Sequence, residues 1–444
     1  MRRTLLHLTA LTTLTALLSA CTVTPPTPTG QPLGREALAV NDGWAASGSG
    51  TTGGSRADAA HTFTVSTHAE LVSALGNGDG TPRLIYVRGT IDGMTAPGGR
   101  PLTCTDFQEP GYTLDAYLKA YDPATYGRTQ KPTGPLEDAR RASAQRQAAQ
   151  IRLRVGSNTS LIGLDRGARL NRLSLWIEKA DNVIIRNLTI EDAADCFPAW
   201  DPTDGATGNW NSEYDLISIV TSTHVWVDRV DLSDGLNPDH AQPTLLGRPY
   251  QVHDGVLDIT KGSDLVTVSW SVLRDHDKGM LIGSTDRPAA PDVPTSDRGR
   301  LRVTLHHNLF RNLGQRVPRV RFGQVHVYNN LFEITDPATY GYSIGAGVGA
   351  QLVVQNNAFG LPAGLTPDRL LFNWSKADLD LPRVQTTGNV LTDGRAVDLL
   401  AAFNAANPDR PLTGNVTWTP TLMSSPPQDA RAVPATVRAG AGPR

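Results

Sequence analysis

From Arg154 onward the chain repeats one theme: a short β-branched run, a polar residue that is often Asn, then an apolar pair. The copies read VIIRNLTI, VWVDRVDL, VTVSWSVL, VTLHHNLF, VHVYNNLF, LVVQNNAF and VQTTGNVL. With the polar pivots taken as Asn187, Arg229, Ser271, Asn308, Asn330, Asn357 and Asn389, the spacings are 42, 42, 37, 22, 27 and 32 residues. The shortest spacing sets the unit, since longer ones are the same unit carrying a loop insertion. A unit of this length fits one coil of a right-handed parallel β-helix, where three short strands and three turns complete a rung. The expected fold class is therefore all-β: a right-handed single-stranded parallel β-helix with an N-terminal helical cap and long loops that wall a groove. Asn recurring at one turn stacks its amide on the same position a rung away and satisfies polar groups inside the coil. These Asn residues are read as scaffold in preference to ligand contacts.

A chain of 444 residues exceeds the usual single-domain size, but a solenoid grows by adding coils and need not divide. One domain is expected over 36–444. Residues 61–92 read as strand, helix, strand, which suits a cap over the open N-terminal end. Residues 136–150 (LEDARRASAQRQAAQ) have helix-forming composition and suit a surface helix within a long connection.

The N-terminus, MRRTLLHLTALTTLTALLSAC, has a basic start and an apolar run too short for a good membrane span, followed by small residues before Cys21. It reads as an export signal over 1–20. Leu18-Ser19-Ala20-Cys21 resembles the lipobox of bacterial lipoproteins, which implies lipidation at Cys21; the plainer reading is an ordinary signal peptide with an incidental Cys. The Thr/Pro-rich stretch that follows suits an extended tether over 21–35. Protein and membrane then meet only through that anchor, and the destination is the cell surface or the medium. A formal charge of −2 gives no footprint for nucleic acid. With Cys21 set aside, Cys104 and Cys196 remain, and an even pair in an exported chain points to a disulfide, the alternative being two separate buried thiols.

The segments DPTDGATGNWNSEYD, VWVDR, HDGVLDITKGSD, DHDKGMLIGSTD and QRVPRVRFGQVHVYNN stand in one order along the repeats. Together they resemble polysaccharide lyase family 1, specifically its Bacillus-type bacterial pectate lyases, over about residue 41 to the C-terminus. One departure is visible: the motif usually written Trp-Ile-Asp-His is here Trp226-Val227-Asp228-Arg229. Because Arg229 is also counted as a pivot, the change is expected to alter rung packing near the groove and to leave the chemistry intact.

The resemblance implies a calcium-dependent, monomeric enzyme that cleaves polygalacturonate internally by β-elimination. That reaction removes the weakly acidic proton on C5, α to the C6 carboxylate, and expels the C4 oxygen. Divalent cations on the carboxylate stabilise the resulting charge, so the site needs clustered oxygen ligands. Asp215, Asp254 and Asp258 match the family's primary calcium ligands, and Asp204 resembles a residue that helps hold additional calcium. Asp254 and Asp258 are expected on one rung, with Gly255 allowing tight backbone, and Asp215 on the rung before. Arg316, Pro318 and Arg321 fit the family motif Arg-x-Pro-x-x-Arg, which makes Arg316 the base and Arg321 a contact to a substrate carboxylate. Arginine is a poor base, with a reference pKa above about 12. Cationic neighbours would assist, and Arg319 and Lys278 are the candidates; both join Arg321 as substrate-binding residues. Read alone, each arginine is solvated surface charge and each Asp a turn residue.

Neighbouring strand residues point to opposite faces, so the His306-His307 pair is not expected to share a metal, and His276 is read as a packing or hydrogen-bonding residue. Most of the Trp residues, including Trp200, Trp210, Trp226 and Trp270, are expected to cover rungs and turns. Three other readings stay open: a pectin lyase acting on esterified substrate without calcium, a non-catalytic carbohydrate-binding β-helix, and a β-helix hydrolase. The last needs paired carboxylates acting on water, for which no convincing counterpart stands in these rungs.

Overall fold

The structure is a computed structural model that describes residues 34–376 and 378–444. The export signal, Cys21 and nearly all of the tether lie outside these residues. Among the described residues no helix is long and apolar enough to cross a membrane.

Short strands stack in parallel into sheets of ten, nine and eight strands. Each coil passes through the eight-, ten- and nine-stranded sheets in turn, as in Leu257–Thr260, Asp264–Ser269 and Val272–Lys278. This is a right-handed parallel β-helix. Alternation along each strand sends one side chain inward and the next outward. Val225, Val227, Val266, Val268, Val303, Leu305, Val325 and Val327 therefore form inward columns with no exposure. Phe310, Phe332 and Phe359 stack on successive rungs, with ring centroids 5.0 and 4.6 Å apart.

The solenoid begins earlier than the repeats suggest. Strands Thr62–Val65 and Arg83–Val87 already belong to the ten-stranded sheet, with helix His68–Leu75 between them. Their turns lack the Asn pivot that marks later coils. The helix expected over 136–150 spans Pro135–Ile151, and it is more than a surface helix. One face is buried and polar: Arg140 pairs with Glu137 (2.8 Å) and donates to the Phe197 carbonyl (2.7 Å), while Gln147 donates to the Ala194 carbonyl (2.8 Å). The loop it holds carries Cys196, which is disulfide-bonded to Cys104 with a Cα–Cα distance of 5.4 Å.

The pivots of the sequence pattern divide into two layers. Strand register aligns Asn187 and Arg229 with Trp270, His307, Asn329, Asn356 and Gly388, all left-handed turn residues at the corner between the ten- and nine-stranded sheets. The next position, inside the coil, carries Ser271, Asn308, Asn330, Asn357 and Asn389. There the Asn330 Oδ1 accepts from the Asn308 backbone N–H (2.9 Å), and the Asn357 Oδ1 accepts from the Asn330 N–H (2.9 Å). The Asn330 Nδ2 donates to the Leu305 carbonyl (2.9 Å). The pivots at Asn187 and Arg229 were thus one residue out of register with the ladder.

Asn330→Ala is expected to destabilise the fold by about 3 kcal/mol, because it leaves a buried N–H and a buried carbonyl unpaired. Denaturant midpoints measure this, and a loss below about 1 kcal/mol would remove the ladder's structural role.

Arg229, at its outer turn, lies over the Trp270 ring (5.3 Å) and donates to the Gly440 carbonyl. Its place in the chain is a clamp on the C-terminal helix Val433–Gly440, at a corner other than the one bearing the carboxylates. The expectation that Arg229 alters packing near the groove is corrected accordingly.

Candidate active site

The connections from the nine-stranded to the eight-stranded sheet place the chemistry. The Leu216 N–H donates to the Gly255 carbonyl (3.2 Å), the Val256 N–H to the Lys278 carbonyl (3.1 Å) and the Gly279 N–H to the Gln315 carbonyl (2.9 Å). These bonds stack Asp215, Asp254, Lys278 and Arg316 on four consecutive rungs. Strand register sets Ser218 against Asp258, and Leu281 against Arg319.

Gly255 lies at the centre of the acidic part. A Cβ there would come within 2.6 Å of the Asp258 Oδ1 and 2.8 Å of the Asp215 Oδ1, so only glycine lets both carboxylates close over the backbone. Asp215 accepts from the Gly255 N–H (2.8 Å) and the Ser218 hydroxyl (2.6 Å). Asp258 accepts from the Leu281 N–H (2.9 Å). Loss of solvent, then the Asp254 charge, pushes Asp215 up to about 6. Burial, then Asp215 and Asp254, holds Asp258 well above the ordinary carboxylate range, against the pull of Arg316. Asp254 is more open and pairs with the Lys278 Nζ at 2.9 Å. Two desolvated carboxylates facing each other with a third beside them make a donor set of hard oxygens, which fits calcium.

Arg316 follows strand Leu309–Gln315 in a left-handed conformation (φ 59°), uncommon for a branched-chain-free but bulky residue, and its buried Nε has no hydrogen-bond partner. Arg319 lies with its guanidinium carbon 3.8 Å over the Trp374 ring. Burial, then Arg321, pushes Arg319 down to about 10, with Arg316 adding to the effect. Arg321 is buried, donates to Asp286 (2.6 Å) and the Gly283 carbonyl (2.9 Å), and shares Asp286 with Lys376 (2.7 Å). Asp204 lies in the exposed turn of the hairpin Ala199–Asp201 and Asn209–Asn211, where its N–H donates to the Asp201 carbonyl (3.3 Å).

Behind the carboxylates lies a network that the sequence pattern does not reveal. His276 donates to the Asp254 carbonyl (2.8 Å) and meets Asp234 through its other ring nitrogen. Burial opposes its charge, but Asp234 outweighs burial and holds His276 above its ordinary value. His253 is bracketed by Asp192 (3.2 Å) and Asp239 (3.1 Å) and, despite burial, is raised to about 10. Through the His276 bond to the Asp254 carbonyl, this acidic and histidine cluster orients the Asp254 loop. His306 and His307 do meet, with Nδ1 atoms 2.9 Å apart, because His307 takes a left-handed turn in place of strand alternation. Burial pushes both down, and they stack against Tyr328 and Trp270.

Ser218, Gly255, Asp286 and Trp374 complete the groove. Of these, only Gly255 carried a signal in the sequence. Trp200 and Trp210 are buried, and Trp226 lies under the N-terminal segment.

A coil of this kind, with an acidic cradle and a row of guanidinium groups along its outside, falls in the class of β-helical polysaccharide lyases. A family profile described as pectate lyase matches residues 131–375. A pectate lyase from Bacillus subtilis (strain 168) is 42% identical, over 91% of this chain and 92% of that protein. Pectate lyase E from Dickeya chrysanthemi is 36% identical, over 72% and 68% respectively. Among solved structures, a thermostable pectate lyase superposes with TM-score 0.87 at 43% identity, over 93% of this chain and 99% of the other. A pectate lyase bound to a hexasaccharide gives 0.85 at 40%, over the same shares. The chain belongs to the pectate lyase family.

Proposed function

We propose that the protein is a calcium-dependent pectate lyase that cleaves (1→4)-α-D-galacturonan internally by β-elimination. The observation that carries this reading is the Gly255 cradle, which gathers Asp215, Asp254 and Asp258 two to three rungs from Arg316. Those three carboxylates are the residues that would hold calcium, and Asp204 would join when substrate brings further ions. Bound calcium withdraws electron density from the substrate carboxylate and so acidifies the C5 proton. Arg316 takes that proton; the C5–H electrons become the C4–C5 double bond, and the C4–O bond breaks toward the leaving chain. Lys278, Arg319 and Arg321 meet substrate carboxylates and fix the register of the chain. Polygalacturonate is favoured over esterified pectin, because an ester offers no carboxylate for a metal to bridge.

The enzyme is read as an exported monomer, with residues 1–20 removed, Cys21 lipidated and 21–35 serving as tether to a single domain over 36–444. Absorbance of the unsaturated product should rise when polygalacturonate and calcium are supplied and stop with excess chelator. Absence of calcium-dependent absorbance rejects the lyase reading, and activity that survives chelation points to a pectin-lyase mechanism.

A further inference from the structure

The eight-stranded sheet carries the groove beyond Arg319. Arg319 is in register with Gly345, Gly345 with Phe372 and Gly347 with Trp374. Both outward positions of that middle rung are therefore glycine. A Cβ on Gly345 would lie 2.7 Å from Tyr342, 3.1 Å from Trp374 and 3.3 Å from Arg319, so the rings and the arginine lean over the gap. Tyr342 and Phe372 have ring centroids 5.2 Å apart, Phe372 and Trp374 4.8 Å, and Arg319 covers Trp374. Tyr342 is 4% exposed, whereas Phe372 keeps 39% of its surface open. Lys376 stands beside them with its side chain 58% exposed. Phe372 packs on both rings and still leaves more than a third of its surface open, on a stretch of the sheet continuous with the proposed site.

We propose that Phe372, backed by Trp374 and Tyr342, is a stacking subsite for a galacturonate ring of a long chain, two rungs beyond Arg319. The inference rests on the pectate lyase reading and names a further part of the same groove. Rungs are spaced about 4.8 Å, so Phe372 lies about 10 Å past Arg319. The galacto configuration sets the C3, C4 and C5 hydrogens on one face, which makes an apolar patch that fits an aromatic ring. The carboxylate at the ring edge then faces Lys376, whose partner Asp286 is shared with Arg321.

Calorimetric titration with calcium present, in an Arg316→Ala background, compares octagalacturonate with trigalacturonate. Adding Phe372→Ala should weaken octamer binding about tenfold and trimer binding less than about twofold, because the trimer fills the sites beside Arg316. Phe372→Leu, which keeps the bulk but not the ring, should lose octamer affinity like alanine, and Phe372→Tyr should restore it. Equal losses for both oligomers, no loss for either, or wild-type affinity in Phe372→Leu would overturn the subsite. Binding needs no turnover, so a failure of the lyase reading is seen separately, in the product absorbance of the wild type.

Discussion

Arg316→Ala is expected to lower kcat on polygalacturonate by about 10²–10⁴-fold, the usual worth of a positioned proton acceptor, while the protein folds and binds calcium as before. The fold survives because the Arg316 Nε has no hydrogen-bond partner to strand, and the backbone bonds of its rung do not involve the side chain. An arginine accepts a proton only in its scarce neutral form. Activity should therefore climb as pH rises into the alkaline range. Initial rates of absorbance against pH, for wild type and Arg316→Ala, check both points. Turnover unchanged in the variant would remove Arg316 from the chemistry, and a matching fall in thermal stability would recast it as scaffold.

The coil was legible because the unit is short and repeated, yet its phase was not. In RNL, DRV, WSV, HNL and NNL the outer turn residue and the inner ladder residue are adjacent, and both positions accept polar groups. Alternation fixes which residues share a face but not which of two neighbouring polar residues turns inward. The slip at Asn187 and Arg229 follows from that, as does the misplacement of Arg229 near the groove. Asp215, Asp254 and Asp258 were readable through short motifs, and register then brought them together. Asp286 was not, because it reaches the groove through a loop insertion whose path no local pattern encodes, and Phe372 and Trp374 were not, because their strand, Leu371–Trp374, lacks the repeated polar pivot that marks the other coils. Likewise, the helix Pro135–Ile151 reads as solvent-exposed since its buried face is made of Glu137, Arg140, Ser143 and Gln147, whose partners lie far along the chain.

Asp215→Asn should make the protein more stable in chelator and less stable in calcium, relative to wild type. A carboxylate whose folded pKa is raised costs stability above that pKa and costs nothing below its unfolded value. For Asp215, with a folded value of about 6 against an ordinary value of 3.8, the cost is complete above about pH 7 and fades toward pH 4. Asn keeps the local bonds, since its oxygen accepts the Gly255 N–H and its amide donates to the Ser218 oxygen, but it carries no charge. In chelator at pH 8 the variant should gain about 2 kcal/mol, and the gap should close on acidification. Comparing the two proteins at each pH matters, because His306 and His326, both depressed by burial, make wild type and variant alike lose stability as pH falls below their unfolded range. Added calcium reverses the order: ligand binding stabilises the wild type by mass action, and the variant, short of one oxygen charge, binds about 10–100-fold more weakly. Denaturant titrations across pH, with and without calcium, read both halves. A variant less stable than wild type in chelator at pH 8 would mean that the cradle is not charge-strained. Equal stabilisation of both proteins by calcium would move the ion away from Asp215.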